Sequence, residues 1–228
     1  MKKKIVVIDP GHGGHDPGAV HGSLLKEKDV VLDVSRLIQE KLTAFYHDQV
    51  ETHLTRDGDT YPSLSSRARM SSALNADAFV SIHCNSAENE EARGFECFTT
   101  VGQNNSDKLA RYLLDSFAKE FPYRKMRSDN GDGDNDRERN FTVISSFNSA
   151  PSALFELEFI HNAQGISFLS SADNQERMAD ALVIGIIAFL GVPYGFEDGD
   201  DSDALLELSS KYDELTRRLE DLLDEFKI

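Results

Sequence analysis

One histidine sits between glycines in the run Asp9-Pro10-Gly11-His12-Gly13-Gly14-His15-Asp16-Pro17-Gly18-Ala19. An imidazole on a tight glycine backbone, with no competing side chains beside it, suits a metal ligand. The rival reading is an anion-binding loop, but neither GxGxxG nor GxxxxGK[ST] is present. A second histidine, His83, sits in Ser81-Ile82-His83-Cys84-Asn85-Ser86, at the end of an apolar strand. Alone it reads as a hydrogen-bonded core residue; with His12 at a neighbouring strand end, it reads as a second ligand.

Two kinds of carboxylate accompany them. Glu27, in Lys26-Glu27-Lys28-Asp29, occupies a helix start, where an acid is favoured by the helix dipole in any case. Glu156, in Leu154-Phe155-Glu156-Leu157-Glu158-Phe159, lies in a strand apolar enough to be interior. An unpaired carboxylate there is expensive, so it must meet a metal, a cation or a reacting proton. Glu158 shares its parity and is expected on the same face. Two histidines and a carboxylate around Zn2+ leave a coordination position open, and a further Glu can take a proton from water. That is the outline of an amide hydrolase, although no local motif such as HExxH is present.

The elements that must bring these residues together follow from the apolar periodicity. Strands are expected at Lys4–Asp9, Val50–Thr55, Ala78–His83, Gly94–Thr100, Phe141–Ile144 and Ser152–Ile160, and helices at Leu24–Phe45, Leu64–Leu74, Ser106–Phe121 and Gln175–Leu190. Residues 11–23 form a glycine-rich loop. This alternation predicts a single α/β domain over 1–195, a mixed and largely parallel sheet with helices on both faces. Ligands in such sheets bind beyond the carboxyl ends of the strands, where His12 and His83 fall.

The chain has 228 residues, with 24 Lys plus Arg against 40 Asp plus Glu, a formal charge of −16. That sign argues against a nucleic-acid partner. Two cysteines cannot build a disulfide scaffold, no stretch approaches a membrane span, and the absence of Trp disfavours a dedicated sugar-binding module. After Lys2-Lys3-Lys4 only Ile5–Ile8 are apolar, too few for an export signal. Asp132, Asp134 and Asp136 match the start of an EF-hand, but Arg137 stands where its Gly belongs and Val143 where its Glu belongs, so a solvated loop is expected. Residues 196–228 hold 12 acids and 4 bases, net −8. Their apolar positions 205, 208, 212, 215, 219, 222 and 226 follow a heptad pattern. An acidic linker and a C-terminal amphipathic, coiled-coil helix are expected, with homo-oligomerisation through 205–226 or docking on the domain as the two outcomes.

The runs at 9–19 and 26–29, with Leu54-Thr55-Arg56-Asp57-Gly58-Asp59, 81–86 and 154–162, resemble the zinc-dependent N-acetylmuramoyl-L-alanine amidases. The resemblance covers residues 4–190 in order. It implies an α/β fold with helices on both sides of a mixed sheet, peptidoglycan as substrate, and cleavage of the amide between the muramoyl lactyl group and L-alanine. It also implies His12, Glu27 and His83 as Zn2+ ligands, a centre of formal charge +1, and Glu156 as the catalytic acid/base. Where the family commonly has Gly, this chain has Glu158, so the acid/base role is open between two glutamates. Cys84 replaces a small residue and is expected to point away from His83. Some relatives carry a long inhibitory helix before the catalytic strand; residues 122–140 are too few for it, and none is expected. Arg56 and Arg67 are candidate contacts for stem-peptide carboxylates, with structural ion pairs as the alternative, and His161 is a candidate for the cleft wall. His15, His21, His47 and His53 are expected at the surface. Other functions to separate from the amidase are a zinc peptidase acting on wall peptides and a non-catalytic, wall-associated oligomeric scaffold. The expected setting is cytoplasmic until release, as for a phage endolysin, or export by a leader missing from this chain.

Overall fold

Val6, Val7 and Ile8 are all fully buried, which places the first strand inside a sheet covered on both faces. The computed structural model describes residues 2–21, 25–129, 131, 133–145 and 147–193, and the compact unit they form ends at Pro193. The acidic linker and heptad helix expected from 196, and Asp132, lie outside the described residues.

The elements run in the order β1 (Lys4–Pro10), β2 (Val20–His21), β3 (Leu25–Lys26), α1 (Glu27–Tyr46), β4 (Val50–Leu54), α2 (Leu64–Leu74), β5 (Ala78–Asn85), β6 (Glu96–Thr99), α3 (Asn105–Glu120), β7 (Arg137–Glu138), a 3-10 turn (Thr142–Ile144), β8 (Ser152–Phe159), α4 (Ala163–Leu169) and α5 (Ala172–Leu190). The main sheet has the order β4-β1-β5-β8-β6-β7. The first four of these are parallel, β6 runs antiparallel to β8, and β7 is parallel to β6. The sheet is therefore mixed and largely parallel, as expected.

Alternate side chains of β1 serve opposite faces. Val6 and Ile8 join the larger core with α1, α3 and α5, whereas Val7 joins a smaller one with Phe79, Phe98, Val143, Ile144 and Leu154. The larger core holds an aromatic group, with Phe117 at 4.8–5.0 Å between centroids from Phe95, Phe121 and Phe155. The second face is covered mainly by α2 and the 3-10 turn.

Three local expectations change. The β-branched run at 141–144 is not a strand. Ser145 Oγ donates to the Thr142 carbonyl and Asn148 Nδ2 to the Val143 carbonyl, and these side chains close a turn instead. Helix α1 begins at Glu27, three residues later than the apolar stripe implied, because β3 takes Leu25 and Lys26. Helix α4, with Asn162 as its cap, had no clear apolar signal. No inhibitory helix occurs among the described residues of 122–140. Replacing Phe117, fully buried, by Ala should cost about 3–5 kcal/mol, read from denaturant unfolding of the full chain.

Candidate active site

Two strand ends and one helix start converge at the carboxyl edge of the sheet. β1 delivers His12 two residues past its end, β5 carries His83 near its end, and α1 opens with Glu27. The first amides of a helix lack intrahelical acceptors. Here Glu27 N–H donates to the Ala19 carbonyl (2.9 Å) and Lys28 N–H to the Pro17 carbonyl (3.1 Å). The loop that carries His12 therefore caps the helix that carries Glu27.

Glu27 Oε1 lies 3.1 Å from His12 Nε2 and 3.0 Å from His83 Nδ1, and it accepts the Cys84 backbone N–H at 2.9 Å. Its Oε2 accepts the Ala19 N–H at 2.8 Å. The two imidazole rings stand edge to face with centroids 4.9 Å apart. One ligating atom from each of the three residues lies within 4.8 Å of the others. Burial pushes the Glu27 carboxyl upward, but the two histidines outweigh it and hold it well below the usual carboxylate range. Burial lowers the pKa of His12, and the carboxylates of Glu27 and Asp16 more than reverse this, so the net shift is upward. Both shifts mark a place that attracts positive charge.

Asp16 is a site residue that sequence reading left inside its motif. Its Oδ2 lies 2.8 Å from His12 Nδ1, which directs Nε2 toward Glu27. A carboxylate behind an imidazole in this way fixes the ring and its tautomer. The spacing of four residues across Gly13-Gly14 was the available signal: Gly13 and Asp16 exchange backbone hydrogen bonds at 2.9 and 3.0 Å. His12 adopts φ 59°, an unfavourable backbone for a non-glycine residue that this bridge helps to hold. Two glycines leave room for the ligands. A Cβ on Gly11 would lie 2.3 Å from the His83 ring, and one on Gly18 would lie 2.6 Å from Glu27 Oε2 and 2.7 Å from the His12 ring.

Glu156 is the direct neighbour of His83 across the β5–β8 pair. It opens on a cleft of about 410 Å3 that His12 and His83 also line. Its Oε2 is buried without a hydrogen-bond partner. Burial, then the negative charges of Glu27 and Glu96, push its carboxyl well above the usual range. Glu96, its neighbour on β6, is a second residue the motifs did not reveal. A larger cavity of about 730 Å3, walled by Thr100, Asn104, Ile144 and Pro151 among others, has no acidic, basic or thiol side chain in its wall.

Glu158 does not share the cleft. His83 pairs with Glu156 but Asn85 pairs with Phe159, so β8 carries one extra residue between them. This bulge breaks the parity that placed both glutamates on one face. Glu158 instead accepts from the backbone N–H groups of Gly94 (2.6 Å) and Phe159 (2.9 Å) and pairs with Arg124 at 3.2 Å. Cys84 is buried in the larger core, and burial raises its thiol pKa.

Both arginines are engaged by the protein itself, the structural alternative, although Arg67 also lines the cleft. Arg56 is buried and donates to the carbonyls of Pro10, Gly11, Lys28 and Gly58. Arg67 is buried and donates to Asp9 and to the carbonyls of Pro10, His12 and Pro62. Four of the five N–H groups of each guanidinium are thus engaged by the chain that carries the site. Asp9 further accepts from Ser81 (2.7 Å) and Thr55. Asp59 receives Lys28 Nζ and the Gly14 N–H at 2.7–2.8 Å, which explains the run at 54–59 as the anchor of the His12 loop. His161, unlike Arg67, is not among the residues that wall the cleft: its Nε2 lies 2.8 Å from the Asn89 carbonyl, bracing a neighbouring loop.

Two imidazoles at strand ends and a carboxylate at a helix start, beside a cleft carboxylate in an α/β sheet, are a group that could hold a metal ion, the donor set of a hydrolase centre. The chain belongs to the N-acetylmuramoyl-L-alanine amidase family, whose profile matches residues 6–188. It is 32% identical over 186 residues to N-acetylmuramoyl-L-alanine amidase LytC of Bacillus subtilis, covering 81% of this chain and 35% of that protein. It is 30% identical over 192 residues to the endolysin of Bacillus phage SPP1, covering 83% and 67%. The fold matches N-acetylmuramoyl-L-alanine amidase AmiC2 of Nostoc punctiforme with a TM-score of 0.73 at 32% identity, covering 83% of this chain and 98% of that one. No helix among the described residues is long and apolar enough to cross a membrane.

Replacing Arg67 by Ala should strand a buried carboxylate, Asp9, and cost about 3–5 kcal/mol in denaturant unfolding. A purely substrate-binding arginine would leave stability unchanged. Gly18→Ala should lower metal affinity at least tenfold by equilibrium dialysis, because its Cβ would collide with two ligands.

Proposed function

We propose that this chain hydrolyses the amide bond between N-acetylmuramic acid and L-alanine in peptidoglycan, with Zn2+ held by His12, Glu27 and His83 and with Glu156 as acid/base. The observation that carries this reading is the convergence of three donor side chains on one point with Glu156 one strand away. The donor set fits zinc, since two imidazoles and one carboxylate are its usual catalytic ligands. When bound, the ion supplies Lewis acidity for water activation and carbonyl polarisation.

The protein's own groups divide the remaining work. Asp16 holds the His12 ring, and the Cys84 and Ala19 amides hold the Glu27 carboxylate, so the ligands need little rearrangement. Glu156 takes a proton from the attacking water and returns it to the departing alanine nitrogen. A carboxyl whose pKa is raised by burial above the usual carboxylate range is suited to both transfers. Tyr61, Leu64 and Phe141, all partly exposed, line the same cleft and offer apolar faces to the substrate. The intact ligand set and the half-buried Glu156 favour an active enzyme over a degenerate scaffold.

The test is release of free amines from purified peptidoglycan, paired with metal analysis. Glu156→Gln should lower kcat by about 10^2–10^4-fold with one zinc per chain retained. His12→Ala should lose both zinc and activity. Full activity in Glu156→Gln would remove the acid/base assignment. Full activity after chelation would remove the metal. Cleavage between stem-peptide residues instead would identify a peptidase.

A further inference from the structure

Asp136, expected in a solvated loop, is only 3% exposed. It enters the main sheet beside β7 and lies with Asp134 and Asp107, the latter from the first turn of α3. One oxygen from each of the three carboxylates lies within 4.8 Å of the others. Among the described residues none of the three is ion-paired with a Lys or Arg.

Counting donors leaves this group short. The Thr99 hydroxyl has one proton and faces both Asp107 Oδ1 (3.1 Å) and Asp136 Oδ2 (2.5 Å). Gln103 Nε2 reaches Asp134 Oδ2 at 2.8 Å, and the Asn104 backbone N–H reaches Asp107 Oδ2. Among the described residues the Oδ1 atoms of Asp134 and Asp136 are buried and receive no N–H or O–H donor, and the two carboxyls can satisfy each other only by sharing a proton. A buried, unpaired carboxylate oxygen is costly and calls for a positive charge.

We propose that Asp107, Asp134 and Asp136, with the Thr99 hydroxyl, form a second cation site, separate from the catalytic centre, that takes a hard divalent ion of the calcium class. All its donors are oxygens, which exclude the preference of the His-containing site for zinc. Calcium–oxygen distances are about 2.3–2.6 Å, so oxygens that share one ion stand no more than about 5 Å apart, and one oxygen from each of the three carboxylates meets that limit. The site is not an EF-hand, because its ligands come from β6, α3 and the segment before β7 rather than from one loop. Burial, with Asp134 and Asp107 adding to it against the Thr99 hydrogen bond, raises the Asp136 carboxyl to about 7. Without an ion, a proton is the remaining way to relieve the group.

Its position gives the ion a task. β7 is held to β6 at Phe98 and Thr99, and Arg139 N–H donates to the Thr99 carbonyl at 2.8 Å. The chain then passes directly into Asn140, Phe141, Thr142 and Val143, which wall the catalytic cleft. A cation at Asp136 pins this segment to the sheet.

The test is calorimetric titration of calcium chloride into the zinc-loaded, full-length protein, with the thermal midpoint followed in parallel. One calcium per chain should bind, with a rise in the midpoint. Asp136→Asn, nearly isosteric, should weaken binding at least tenfold and abolish the rise. Asp134→Asn, at a less buried position, should weaken it as well and serves if Asp136→Asn folds poorly. His12→Ala should bind calcium as the wild type does, even if the proposed amidase chemistry fails. No heat and no midpoint shift in the wild type would overturn the site. So would unchanged calcium affinity in both aspartate variants.

Discussion

A single carboxylate organises the catalytic end of this molecule. Glu27 stands between two imidazoles and also accepts two backbone amides, so four contacts from two chain segments, the His12 loop and β5, meet on its two oxygens. A carboxylate that buried is tolerable only with positive charge beside it. The need is met locally by geometry: the His12 loop caps α1, and β5 lies next to β1. Any change that separates loop from helix removes both the ligand geometry and the cap.

Beneath this centre lies a second buried layer that is structural. Asp9, Arg67 and Arg56 sit under the glycine loop and tie its carbonyls to the sheet and to α2. A glycine-rich loop has a large conformational entropy to lose, and it adopts a positive φ at His12. The guanidinium groups offset this with directional hydrogen bonds to fixed carbonyls. Their burial gives both guanidinium groups a structural task within the protein.

The two faces of the sheet are used differently. α1, α3 and α5 cover one with a large apolar core, which gives the rigid platform. The other is covered by α2 and the 3-10 turn, leaving space at the strand ends for the cleft. Acidic side chains are concentrated there as well: Glu156 faces the cleft with Glu27 and Glu96 nearby, and Asp136 lies behind the segment that walls it. Charge that the surface could solvate is here held inside, where it is useful only with cations or protons to answer it.

Much of this was legible in the chain itself. Apolar periodicity located nearly all the long elements, and the runs around 12, 27, 83 and 156 resembled the family to which the chain belongs. Those features are local, and local sterics and hydrophobic patterning write them directly into spacing. What the tertiary structure alone decided was partnership. Whether Arg67 meets a substrate or Asp9, whether Glu158 shares a face with Glu156, and whether Asp136 is solvated or buried all depend on strand register and on chain distant in sequence. A one-residue bulge in β8 redirects Glu158, and no alternation rule within a strand foresees it, because the bulge is set by packing against β5. Side-chain types come from the chain; which charges neutralise one another is settled only when long-range packing excludes water.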